Sequence, residues 1–181
     1  MTRWLLAFLA AVGPITAAAS MYQRVEKRTA PLLTRIYVDD KSGDVHLVDS
    51  DDKNISIRKR SEAVSDPKIA SDKLTAGWLL EDRAGTSYTL PLGLTVYRSG
   101  RVLHTFAPSD WPIIVRWEFF MDGKQVGFSS SASHGPEAER RWYELRDVQT
   151  GRIVQSWNDQ HSDKAPAWVQ ALDDLERTAR H

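Results

Sequence analysis

The chain has 181 residues, with 24 Lys plus Arg balanced by 24 Asp plus Glu for a formal net charge of +0. That balance argues against a nucleic-acid partner, which would select a strongly basic face. There are 0 cysteines, which excludes disulfide staples and an acylated-cysteine anchor, so the fold must rest on its core alone.

The N-terminal stretch has three parts in order. Arg3 supplies a positive start, Trp4 to Val12 is an uncharged apolar run, and Gly13-Pro14 breaks it before the small residues Ala17-Ala18-Ala19. This is the layout of a secretory signal peptide over residues 1–19, with cleavage expected after Ala19. The apolar run is short of the roughly 20 residues a retained membrane span needs. No later segment approaches that length, so no membrane span is expected after cleavage. The expected compartment is a bacterial periplasm or the extracellular space. Residues 20–34 read as a polar linker interrupted by Pro31, and 35–181 as a single β domain, about the usual size for one.

From Arg35 onwards short β-type runs alternate with turn clusters. Ile36-Tyr37-Val38 and Val45-His46-Leu47-Val48 flank the turn Asp39 to Asp44 and predict an N-terminal hairpin, with Ile55-Ser56-Ile57 a candidate third strand. The turn residues are those that cap their own backbone or accept positive φ. An internal repeat follows. Asp72 to Trp78 recurs as Asp122 to Phe128, which matches Gly77 with Gly127, and Gly100 to Phe106 recurs as Gly151 to Trp157. Each copy, about 66–106 and 113–157, carries two hairpins and predicts a four-stranded antiparallel sheet. In the second copy the strands are expected at Ile113–Phe119, Gln125–Ser131, Arg141–Asp147 and Arg152–Trp157. At the C-terminus, Ser162 or Asp163 can cap a helix over about 165–178, with Trp168, Leu172, Leu175 and Ala179 on its apolar stripe and Asp173 away from it. The fold class expected is all-β: two blade-like sheets, an N-terminal hairpin and a C-terminal helix.

Tyr143 to Val154 resembles the last hairpin of a WD40 repeat, where an aspartate (here Asp147) precedes a Thr-Gly turn (Thr150-Gly151); Arg146 stands where that family has tryptophan. Ser65 to Asp72 is similar to the first strand and turn of TolB-like propeller repeats, and Pro67 to Trp157 resembles a family of small uncharacterised exported bacterial proteins. The resemblance implies a propeller-like architecture and brings no catalytic residues. Two clear blades cannot close a ring of 4–8. A compact stack with the terminal helix covering one face is therefore expected, ahead of a ring assembled from several chains.

Few residues point to chemistry. His134, Glu137 and Glu139 share one loop, but the spacing matches no metal signature and a lone histidine is a poor ligand set. Ser129-Ser130-Ser131 lacks the second glycine of a nucleophile elbow. His104 reads as a solvent-facing strand residue. Of the six tryptophans after Ala19, Trp78, Trp157 and Trp168 fall on core positions, and Trp111, between the two copies, is the aromatic expected at the surface. No catalytic, metal or cofactor residues are assigned and no cofactor is expected. The candidate binding-loop residues are Tyr88, Trp111, His134 and Glu137, on the stretches Arg83–Tyr88, Ala107–Pro112 and Ser133–Glu139. The functional expectation is an exported binding or interaction module whose partner is an envelope protein or a small ligand. The alternatives are an exported hydrolase using those loop carboxylates or His134, and a structural envelope protein.

Overall fold

The computed structural model describes residues 30–58, 61–83, 85, 87–160 and 163–178. The expected signal peptide and residues 20–29 of the expected linker lie outside them. The linker's last two positions belong to the fold. Strand β1 (Leu33–Val38) begins there because Leu33 is a buried apolar side chain whose N–H donates to the Lys73 carbonyl at 2.6 Å.

β1, β2 (Val45–Asp49) and β3 (Asn54–Ile57) form a three-stranded antiparallel sheet in that order, the expected hairpin with the candidate strand at Ile55–Ile57 added to it. The repeat then yields two four-stranded antiparallel sheets. The first holds β4 (Ala63–Ile69), β5 (Thr75–Asp82), β6 (Leu90–Arg98) and β7 (Arg101–Phe106). The second holds β8 (Ile113–Phe120), β9 (Gln125–Ser131), β10 (Trp142–Asp147) and β11 (Ile153–Asn158), and helix α1 (Ala167–Thr178) ends the described chain. No helix among the described residues is long and apolar enough to cross a membrane.

Short polar turns make this meander possible. Asp39 Oδ1 accepts from the Ser42 N–H at 2.7 Å, Asp72 Oδ1 from the Thr75 N–H at 3.0 Å, and Asp147 Oδ1 from the Thr150 N–H at 2.7 Å. In each case a carboxylate supplies the acceptor that a further turn of chain would otherwise have to provide. The β8–β9 turn is built differently. Met121, Asp122 and Gly123 all have positive φ, so Asp122 matches Asp72 in sequence but not in conformation.

The sheets stack face to face, and each interface is an apolar layer. Leu33, Val45 and Leu47 of the first sheet meet Ala76, Trp78 and Tyr97 of the second. On its other face the second sheet sets Leu79, Leu94, Val96 and Phe106 against Ile114, Trp117, Val126 and Phe128 of the third. The middle sheet is thus covered on both sides, which is why Thr75-Ala76-Gly77-Trp78-Leu79 is buried throughout instead of alternating. Gly77 and Gly127 hold the same place, third in β5 and β9, each beneath an aromatic ring from β8. A Cβ on Gly77 would lie 3.0 Å from Trp117 Cη2, and one on Gly127 2.7 Å from Phe120 Cε2.

The outer face of the third sheet is covered by α1. The helix buries Val169 and Leu172 against Tyr143, with Phe120, Trp157 and Trp168 packed around them. The expected stripe is therefore rotated. Leu175 is exposed, Ala179 lies outside the described residues, and Asp173 faces the sheet and accepts from the Tyr143 hydroxyl at 2.8 Å. Ser129 and Ser131, on the same face of β9 as Gly127, are buried in the sheet.

Candidate functional site

Strand direction decides which loops share an end. The β5–β6 loop (described at 83, 85 and 87–89), the β7–β8 connector (107–112) and the β9–β10 loop (132–141) all leave the stack at one end. The β4–β5 and β8–β9 turns lie at the other, where Ser71 Oγ donates to Asp122 Oδ1 at 2.9 Å. All four candidate residues thus stand on the same end. Tyr88 is 57 % exposed, His134 and Glu137 are exposed, and Trp111 is half-buried. Glu137 lies in a short 3-10 turn, Pro136–Glu139, entered through Gly135 at φ 80. No hydrogen bond joins His134 to Glu137 or Glu139. Among the described residues no group of three or more His, Asp or Glu side chains is placed to hold a metal ion.

The connector carrying Trp111 is held from below by a buried ion pair. Glu144 is 0 % exposed. Its Oε1 accepts from the Ser109 N–H at 2.6 Å, and its Oε2 accepts from Arg146 Nε at 2.8 Å. Arg146 also donates to Ser109 Oγ at 3.0 Å, and its guanidinium lies 5.3 Å from the Phe106 ring centre and 5.8 Å from that of Phe128. One charged pair therefore fixes the connector, the end of β7 and the third sheet together. The sequence carries a signal for it: Glu144 and Arg146, two apart on a strand, share the face opposite Tyr143 and Leu145.

His104 belongs to the same seam and does not simply face solvent. It stacks on Phe106, and its Nε2 lies 3.2 Å from the Gln149 carbonyl. The ring fills the space beside Gly151, where a Cβ would sit 3.0 Å from it. On the inner strands, Lys68 donates to the Trp117 carbonyl at 2.7 Å and lies 4.7 Å from the centre of its indole.

At the opposite end Arg98 Nη1 donates to Asp72 Oδ2 at 2.8 Å and to the Gly123 carbonyl at 3.2 Å, tying the second sheet to the β8–β9 turn. Hydrogen bonds from the Thr150 backbone and hydroxyl hold the Asp147 carboxyl below its usual range, and those from Ser42 do the same for Asp39. Burial pushes the Tyr97 phenol up. Burial, reinforced by Asp173, pushes Tyr143 further up.

No protein-family model matches the sequence, and no curated protein matches it. Among solved structures, hydrazine synthase from Kuenenia stuttgartiensis is 20% identical over 68% of this chain and 33% of that chain, with a TM-score of 0.44. A eukaryotic initiation factor crystal structure is 13% identical over 74% of this chain and 31% of that chain, with a TM-score of 0.51. The chain spans about a third of the length of these structures, and the likeness to the initiation factor is one of fold alone.

Proposed function

We propose that the protein is an exported, periplasmic or secreted interaction module that contacts its partner through the loop end of the sheet stack. One observation carries this reading. The three loops bearing Tyr88, Trp111, His134 and Glu137 share an end, and the connector under Trp111 is fixed by the buried Glu144–Arg146 pair. A loop held by a rigid scaffold presents side chains without a large ordering cost on binding. An aromatic such as Trp111 or Tyr88 supplies contact area together with a polar tip. We also read the repeats as kin to WD40-like and TolB-like propeller repeats, supported by the Asp147 turn, whose carboxylate accepts from both the Thr150 N–H and hydroxyl.

Site-specific photocrosslinking in an expressing cell tests the contact surface. Probes at positions 88, 111 and 137 are expected to trap one discrete partner, whereas probes at the exposed outer-strand residues Val102 and Val154 are not. Equal trapping from both sets, or none from the loop end, refutes the surface assignment. The mass of the mature protein checks export independently; a chain that starts at Ser20 is the expected result.

A further inference from the structure

Asp49 stands at the end of β2 on an inward-facing position, in alternation with Val45 and Leu47, and is 3 % exposed. Its Oδ1 is occupied by the following turn, accepting from the N–H groups of Asp51 at 2.9 Å and Lys53 at 3.0 Å. Its Oδ2 makes no hydrogen bond among the described residues. The carboxylate lines a cavity of about 250 Å³ between the first and second sheets, walled by Leu33, Ile55, Leu74 and Tyr97. Lys53 is also on the wall, but it forms no ion pair with Asp49 among the described residues.

The molecule meets the same problem elsewhere and solves it. Asp72 caps the β4–β5 turn through its Oδ1, as Asp49 caps the β2–β3 turn, and its side chain is mostly buried. There the second oxygen is satisfied, by Arg98 Nη1 at 2.8 Å and by the Thr75 hydroxyl at 3.0 Å. Asp49 Oδ2 is not sealed off from solvent: it opens onto the cavity, where a cation or a donor can meet it. At Asp72 the chain supplies one; at Asp49 it leaves a cavity with apolar walls and an aromatic side.

We propose that this cavity binds a small apolar primary amine, its ammonium beside Asp49 and its alkyl or aryl group against Leu33, Ile55 and Tyr97. Charge selects the amine, because an ammonium both donates to Asp49 and is attracted to an aromatic face. Volume limits the ligand, since about 250 Å³ lies below the usual range of pockets for drug-sized molecules. The loop end plays no part in this site.

Calorimetric titration of the full chain with phenethylamine, 2-phenylethanol and 3-phenylpropionate tests the proposal, because the three share a ring and differ in the polar group. The amine is expected to bind, with the alcohol and the acid weaker by about tenfold or more. Asp49→Asn keeps an acceptor for the turn but removes the charge, and is expected to lower amine affinity about tenfold with little change in melting temperature. Lys53→Gln is expected to leave amine binding intact. Should Asp49→Asn fail to fold, Ile55→Trp fills the cavity without touching the turn and is expected to abolish binding. The proposal is overturned by no amine binding up to about 10 mM, by equal affinity in Asp49→Asn or Ile55→Trp, or by preferred binding of the acid that Lys53→Gln removes. Variants at Tyr88 and Trp111 should not alter the titration, so the two sites fail or stand separately.

Discussion

Arg146→Ala should be among the most damaging single substitutions in this chain. It leaves the fully buried Glu144 carboxylate with one donor, the Ser109 N–H at 2.6 Å, in place of the guanidinium that meets its other oxygen. It also strips the cover from Phe106 and Phe128. Removing one partner of a buried pair costs about 3–5 kcal/mol. A domain of this size loses about 2–4 °C of Tm per kcal/mol, so the expected drop is roughly 6–20 °C. Urea unfolding followed by tryptophan fluorescence measures it directly, with the midpoint falling and the slope unchanged. Glu144→Gln combined with Arg146→Met supplies the control: the double variant should cost less than the sum of the singles by about 0.5–3 kcal/mol, because no uncompensated charge remains. Limited proteolysis adds a local readout, since Arg146→Ala should expose 107–112 to cleavage before the rest of the chain. Singles costing under about 1 kcal/mol each and adding independently would show that the pair does not hold the seam.

Gly127→Ala places a Cβ 2.7 Å from Phe120 and is expected to cost about 1–3 kcal/mol in thermal melts. Gly93→Ala, whose Cβ would have nothing nearer than 3.6 Å, should stay within about 0.5 kcal/mol. Tyr143→Phe loses the hydrogen bond to Asp173 and should cost about 1 kcal/mol near neutral pH. The fold favours the protonated phenols of Tyr143 and Tyr97, so the stability they contribute is present below the ordinary value of 10.0 and is lost as pH rises beyond it. Alkaline melts of the parent protein should therefore fall more steeply above pH 10 than those of Tyr143→Phe. The Asp147 carboxyl is depressed, so its contribution is present above its ordinary value of 3.8 and is lost as pH falls below that. Asp147→Asn should lose part of that acid dependence, read as a shallower decline of Tm with pH.

The repeat was the most legible feature of this sequence because it is written in residues with few alternatives. Gly77 and Gly127 permit close aromatic packing, and the turn aspartates supply backbone acceptors, so both sheets are readable from local rules. The third strand of the first sheet was legible as a candidate in Ile55-Ser56-Ile57, but its pairing with β2 is a contact the local pattern does not encode. The face of α1 was misjudged because Trp168 and Leu175 outweigh Val169 in apolar area, while docking is set by the fit of Val169 and Leu172 against Tyr143. At the loop end, the pattern located Tyr88, Trp111, His134 and Glu137 but not what holds them. Glu144 and Arg146 would count as surface charges on composition, and only the facing of the second and third sheets puts them inside. Asp49 escaped notice for the same reason: its turn is visible locally, and the cavity beside it is made by a sheet two strands further on.

Among the described residues every sheet is made from strands that follow one another along the chain, with no strand borrowed from a distant segment. Loop closure is therefore brief for each pairing step, and the slow search is confined to the stacking of finished units. Such a chain is suited to vectorial assembly, in which each unit emerges complete and closes over the face left open by its predecessor. The final step differs in kind. A nascent chain stopped at Asn158 would have every β pairing seen among the described residues and still leave Tyr143 and Phe120 wet, so the segment that emerges after the strands is the one that covers the third sheet.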